Sequence, residues 1–363
     1  MVKSVHLNSD GSTKIVEMDT PSLEIGAILI RTLYSEVCGT DVHLQDRQLT
    51  GVPYPIIPGH VSTGIIKDLN GTISDIDGKL LRRGDKVTFL DVHETCNSCW
   101  YCLVAKETTR CPKRKVYGIT YSAKDGLLGG WSQYIYLKPG VKVIRLPENL
   151  DPKIFMAGGC GLPTAIHGIQ RAEIKLGDTV VIQGSGPVGM MAAILAFVSG
   201  AFRVIVIGGP QLRLTIVKEF GISEVLNIDQ LNEDQRLAKI LELTNNRGAD
   251  VVIEATGVPS AVREGMKMAR DGGTYVVLGQ YTDAGDLSIN PHNDINKKHL
   301  TIKGCWGSDF SHFYLGVKFM TQYQDKYPWE KIISREYSLE EAAQALDDVR
   351  HYKIMKALID PFK

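Results

Sequence analysis

Short apolar runs rich in β-branched and aromatic residues, broken by glycine, proline and aspartate, dominate the first 150 positions. Residues 27–33, 64–68, 86–90, 132–137 and 142–145 each read as a strand, bounded by Gly26, Gly84-Asp85 and Pro139-Gly140. Helical spacing is scarce there, so an irregular, mostly antiparallel β domain is predicted, with its chemistry on loops. The pattern changes at Pro152. Residues 154–157 and 164–171 take helical spacing, and strand and helix then alternate. The strands are 179–183, 203–207, 225–227, 250–254 and 273–278; the helices are 187–199, 212–220, 234–244 and 260–268. That rhythm predicts an α/β, doubly wound parallel sheet with helices on both faces. A strand at 300–303, helices at 311–322 and 339–350, and a strand at 357–359 follow. Since the alternating unit is complete near Gly304, the tail is expected to return to the first domain. The expected division is 1–162 with 305–363, and 163–304.

Composition changes this picture little. A chain of 363 residues with 44% hydrophobic and 23% charged residues suits two globular domains. Lys plus Arg and Asp plus Glu balance at 41 each, which argues against a nucleic-acid or anionic-membrane partner. The most apolar run, 190–198, is too short to span a bilayer, and no basic start precedes an apolar stretch. A cytoplasmic protein is expected, as a homodimer or homotetramer.

Six of the seven cysteines fall at metal-ligand spacings, leaving Cys305 over. Cys38, His60 and Cys160 form the Cys₂His set of a catalytic zinc that keeps one position open. The third place is open between a cysteine and a carboxylate, but the acids nearest Cys160, Asp151 and Glu173, are out of register. Thr40 and His43 follow Cys38 by two and five residues. The Thr40 hydroxyl is suited to pass a proton on, and His43 to deliver it to solvent near neutral pH.

Cys96, Cys99, Cys102 and Cys111 can wrap a second zinc completely, which is a structural arrangement; a redox Cys-x-x-Cys pair is the alternative. The run Gly184-Ser185-Gly186-Pro187-Val188-Gly189 follows an apolar strand and opens a helix. Gly184 is assigned to the tight turn, Gly186 to the approach of a pyrophosphate, and Gly189 to close packing of helix and strand. NAD specificity would call for an acid at the end of the second strand, where Gly208-Gly209-Pro210-Gln211 stands instead. An aspartate at 208 would be expected to favour NAD. Arg213 either meets a 2′-phosphate or begins a solvated helix, so NAD and NADP both stay open.

Taken as a set, Cys38-Gly39-Thr40-Asp41-x-His43, Gly59-His60-x3-Gly64, Gly84-Asp85-x-Val87, the four-cysteine lobe, Gly129-Gly130-Trp131, Gly184-x-Gly186-Pro187-x-Gly189 and Glu254-x-Thr256-Gly257 resemble the zinc-containing alcohol dehydrogenases of the medium-chain dehydrogenase/reductase family. The resemblance covers nearly the whole chain. It implies a GroES-like catalytic domain, a Rossmann domain, two zinc ions, and hydride transfer between a small alcohol or carbonyl and NAD(P). It places Thr256, Gly257 and Gly279 beside the nicotinamide and Lys356 at the pyrophosphate, and Val92, His93, Trp100, Trp131 and Trp306 are candidates for lining the substrate cleft. The family usually carries a glutamate after the histidine ligand, where this chain has Val61, so a charge beside the zinc is lost. The four-cysteine lobe is one residue longer than usual, which predicts a bulge within 105–110. A non-catalytic, nucleotide- and zinc-binding protein of the same fold is the competing reading.

Overall fold

The computed structural model describes residues 1–363. The chain forms two compact units, Met1–Cys160 with Asp309–Lys363, and Gly161–Ser308. Both boundaries lie a few residues from the expected ones. Cys160 stays with the first unit because its N–H donates to Glu36. Cys305–Ser308 stay with the second because the Cys305 N–H donates to Val277 O, Trp306 Nε1–H to Tyr281 O, and Gly307 O pairs with His167 Nδ1.

In the first unit a seven-stranded sheet runs in the order Ile333–Tyr337, Lys356–Ile359, Ile28–Val37, Ser62–Leu69, Lys86–Phe89, Val143–Arg145, with Tyr134–Leu137 also paired to Ile28–Val37. All pairings are antiparallel except Ile333–Tyr337 with Lys356–Ile359. The strand Ile28–Val37 is the spine, bonded to three others, and its C-terminal end delivers Cys38. Trp131, Tyr117, Phe89, Ile30 and Tyr337 are fully buried in the core around it. Several strands were not foreseen, among them the short pair Val92–Glu94 with Lys115–Val116. The hairpin Val2–Leu7 with Thr13–Met18 hides behind polar Ser4 and His6, and Ile333–Tyr337 is mostly polar.

The second unit is a six-stranded, all-parallel sheet ordered Glu224–Asn227, Arg203–Gly208, Thr179–Gln183, Ala249–Glu254, Ala269–Val277, Thr301–Gly304. In chain order this is 3-2-1-4-5-6, the doubly wound dinucleotide-binding arrangement, with the switch point beside the first strand. Val180, Val181 and Ile182 are fully buried, as a strand covered on both faces requires. Each such side chain contributes roughly 1.5–3 kcal/mol relative to exposure. The helix Pro187–Val198 buries Met190 to Ala196 without a break.

Candidate functional site

The end of the spine strand organises the first cluster. Cys38 caps the seven-residue helix Gly39–Gln45, and its N–H donates to Asp41 Oδ2 at 2.8 Å. Asp41 Oδ1 accepts from Gly59 N–H at 3.4 Å, so one buried carboxylate ties the Cys38 turn to the loop carrying His60. Gly118 packs against that loop; a Cβ there would stand 2.9 Å from His60 N. Cys160, after the helix Pro152–Gly158, completes the group. The ligand atoms of Cys38, His60 and Cys160 all lie within 4.8 Å of one another, and neither thiol is in a disulfide.

This donor set fits zinc. Two sulfurs and an imidazole nitrogen on a tetrahedral ion stand about 3.5–4 Å apart, and three protein ligands leave a fourth direction open. Without a cation the cluster is electrostatically uneven. Burial opposes charge on His60, but Cys160, by hydrogen bond and charge, pushes the imidazole up to about 10. The hydrogen bond to Cys160 and burial raise Cys38, while the same bond and His60 lower Cys160. A divalent ion evens out such a set by binding both sulfurs as thiolates.

Thr40 and His43 lie three residues apart on the helix Gly39–Gln45, hence on one face. His43 Nδ1 pairs with Gln48 Oε1, a contact that suits the tautomer with its proton on Nδ1. Val61 is buried and brings no charge, yet a carboxylate reaches the cluster from elsewhere: Glu36 Oε1 is 3.6 Å from Cys160 Sγ.

Cys96, Cys99, Cys102 and Cys111 form a second group, again within 4.8 Å. Cys99 and Cys102, and Cys96 and Cys111, are 3.5 Å apart at sulfur, and all are free thiols. The extra residue of this lobe is accommodated by a π-turn at Tyr101–Ala105 followed by left-handed Lys106 at φ 59°, slightly before the expected place.

In the second unit, Gly184 takes φ 119°, and a Cβ there would meet Ala255 O at 2.5 Å. A Cβ on Gly189 would collide with Gly184 O, whereas the one on Gly186 meets nothing closer than Arg213 Nη1 at 3.5 Å. Gly186 is thus the open point of the loop, at the start of the twelve-residue helix Pro187–Val198. Arg213 is buried, so it is no solvated helix start. The loop Thr256, Gly257 and the turn at Gly279 are held by Glu254, which sequence reading had only as a motif letter. Its carboxylate accepts from Thr256 N–H at 2.7 Å, Gly257 N–H at 2.8 Å and Gly279 N–H at 3.0 Å.

Four expectations are corrected. Lys356 does not reach out to a pyrophosphate: its side chain is 0% exposed and Nζ lies 2.6 Å from Glu36 Oε1. Trp131 lines no cleft, being fully buried with Nε1–H donating to Glu36 O at 3.0 Å. Trp100 is 62% exposed on the four-cysteine lobe, against Tyr101. An aspartate at 208 has no room, since a Cβ there would stand 2.5 Å from Ser185 Oγ and 2.8 Å from Ser185 N. Of the other lining candidates, Val92 is buried, His93 bonds Tyr121 Oη and Pro139 O, and Trp306 stacks on Tyr281.

Two family models match the chain: the alcohol dehydrogenase GroES-like domain over residues 24–148 and the zinc-binding dehydrogenase domain over 187–322. The 5-exo-hydroxycamphor dehydrogenase of Pseudomonas putida is 32% identical over 337 residues, 92% of each chain. D-arabinitol dehydrogenase 1 of Uromyces fabae is 27% identical over 348 residues, 96% of this chain and 93% of its own. An alcohol dehydrogenase structure from Thermotoga maritima superposes with TM-score 0.94 at 33% identity, covering 99% of both chains. A zinc-binding dehydrogenase from Sinorhizobium meliloti bound to NADP gives 0.87 at 25% identity, again over 99% of both. No helix here is long and apolar enough to cross a membrane. With a Cys₂His cluster in one unit and a glycine-rich nucleotide loop in the other, the chain belongs to the zinc-binding alcohol dehydrogenases of the medium-chain dehydrogenase/reductase family, and is an oxidoreductase that transfers hydride between an alcohol and a nicotinamide cofactor.

Proposed function

We propose that the chain oxidises a small alcohol, or reduces its carbonyl partner, with NAD or NADP and little preference between them, using one catalytic and one structural zinc. The observation that carries the reading is the convergence of two sulfurs and an imidazole beside a helix that presents a hydroxyl and a basic nitrogen three residues apart. Bound there, zinc supplies a Lewis acid for the substrate oxygen. Cys38, His60 and Cys160 would hold the ion. Thr40 accepts the hydroxyl proton as the alcohol is oxidised and passes it to His43, whose Nε2 carries it to solvent. Gly184, Gly186, Pro187, Val188, Gly189, Thr256, Gly257 and Gly279 of the second unit would hold the nicotinamide nucleotide, which would supply the hydride acceptor.

At the adenosine end, Gly208 and Gly209 place no carboxylate on the second strand, and buried Arg213 stands beside Gly186. A 2′-phosphate therefore has a guanidinium beside Gly186, while the acid near that strand end, Asp229, comes from the loop after the neighbouring strand, its Oδ2 3.3 Å from where a Cβ on Gly209 would stand. Cys96, Cys99, Cys102 and Cys111 fill every position of the second ion. A homodimer or homotetramer is the expected assembly, supported by Trp100, Leu103 and Val104 exposed on the four-cysteine lobe; sedimentation reads it directly.

NAD(P)H formation across an alcohol panel tests the proposal. His43→Ala should slow turnover by roughly 10²–10⁴ at most, with a changed pH profile. An unchanged rate and profile would remove His43 from the relay.

A further inference from the structure

A buried pair of charges stands against the third ligand of the cluster. The Glu36 and Lys356 side chains are 1% and 0% exposed, with Lys356 Nζ 2.6 Å from Glu36 Oε1. The other carboxylate oxygen, Oε2, accepts from the Cys160 N–H at 2.6 Å, and Oε1 lies 3.6 Å from Cys160 Sγ. Glu36 is also tied to the segments that carry the other two ligands. It stands two residues before Cys38, near the end of the strand that delivers that ligand, and its own N–H donates to the carbonyl of Val61, the residue after His60, at 3.0 Å. One residue thus bonds the Cys160 backbone and the residue after His60, and lies two positions before Cys38. Gly159 leaves the space: a Cβ there would stand 2.5 Å from the Glu36 carboxyl carbon and would collide with Lys356 Nζ.

Stability alone does not explain such a pair. Desolvating two charges is costly, and well-packed apolar residues in their place are often neutral or better. The carboxylate, moreover, is set beside a sulfur that must be a thiolate to bind metal. Without Lys356 the two like charges would repel; with it, Glu36 can hold the Cys160 backbone and add no net charge beside the two thiolates.

We propose that Glu36, compensated by Lys356, is a positioning residue of the metal site: it fixes Cys160 against Cys38 and His60 and slows loss of the ion. This rests on the reading of these three residues as zinc ligands. The pair acts on the metal through Cys160, without touching substrate.

The test uses full-length protein carrying zinc in the four-cysteine lobe and cobalt or zinc at the Cys38–His60–Cys160 cluster. Wild type, Glu36→Gln and the double variant Glu36→Met/Lys356→Met are compared. The double variant guards against misfolding, because removing both partners leaves no stranded charge. Release of each ion to a colorimetric chelator is followed, together with the thiolate-to-cobalt absorption. The expected result in both variants is roughly 10–100-fold faster loss from the three-ligand site, an altered cobalt spectrum, and unchanged loss from the four-cysteine lobe. A double variant matching wild type in release and spectrum overturns the proposal. So does equal acceleration at both sites with a lowered melting temperature, which would mark a purely structural pair. A wild type showing no cobalt–thiolate band that Cys160→Ser removes would instead overturn the zinc-ligand reading itself, and this proposal with it.

Discussion

At the scale of single residues, several positions are constrained by what lies within 3 Å of them. Gly208 is the clearest case. Its place at the end of the second strand suggests that an acid could be grafted there to favour NAD. Ser185, however, fills the space: its Oγ accepts from Gly209 N–H at 3.1 Å and donates to Gly209 O at 2.9 Å, and a Cβ on Gly208 would overlap it. Gly208→Asp should therefore raise KM for NAD and NADP together by displacing the Ser185 turn, with Gly208→Ala acting in the same direction. Steady-state kinetics with both cofactors checks this; a clean gain for NAD alone would contradict it. Arg213 carries the opposite expectation. Arg213→Ala should weaken NADP more than NAD, by the 1.5–3 kcal/mol typical of a hydrogen bond to a charged group, and equal losses would show that Arg213 serves packing. Lys356 and Glu36, 320 positions apart, show why residue roles escape a linear reading. A lysine at a strand end looks solvent-facing until the fold sets it against a glutamate from another strand. The one hint was Glu36 itself, an acid near the end of the buried strand Ile28–Val37.

At the scale of elements, what was legible followed from what each element buries. Val180-Val181-Ile182 and Val251 to Ile253 are apolar without alternation because both faces of the parallel sheet are covered. Those strands, their helices and the glycine turn could be read directly. The hairpin Val2–Leu7 with Thr13–Met18 could not, because its buried face includes Ser4 and its outer strand is only half-buried. One polar clamp in the second unit is also open to measurement. Asp250, at the start of the fourth-sheet-position strand Ala249–Glu254, accepts from Thr179 N–H at 2.8 Å and from Arg270 Nε at 2.7 Å. Burial alone would raise its carboxyl, but those two donors hold it below its ordinary value of 3.8. A depressed folded value means the clamp contributes above 3.8 and is lost as pH falls through the folded value. Asp250→Asn should cost about 1 kcal/mol at neutral pH, since Arg270 is partly exposed and screened. The gap in thermal stability from wild type should close in acid; a gap constant with pH would rule the carboxylate charge out as the cause.

At the scale of the whole molecule, the division of labour explains how much of the site could be read before the fold. Cys38 and His60 announce themselves by their neighbours, and the four-cysteine lobe by its spacing. Cys160 had no such context, and only the path of the chain through Pro152–Gly158 brings it to the other two. The two metal clusters differ in the one property that decides their behaviour: four thiolates close a site, and three ligands leave it open. Two zinc ions per chain with unequal lability are therefore expected. Graded chelation, with zinc content, NAD(P)H formation and secondary structure followed in the same sample, tests this most directly. One zinc should leave in step with activity while the second ion and the fold persist, and added zinc should restore turnover. Activity that survives loss of the first zinc, or a fresh active enzyme holding only one, would contradict the account.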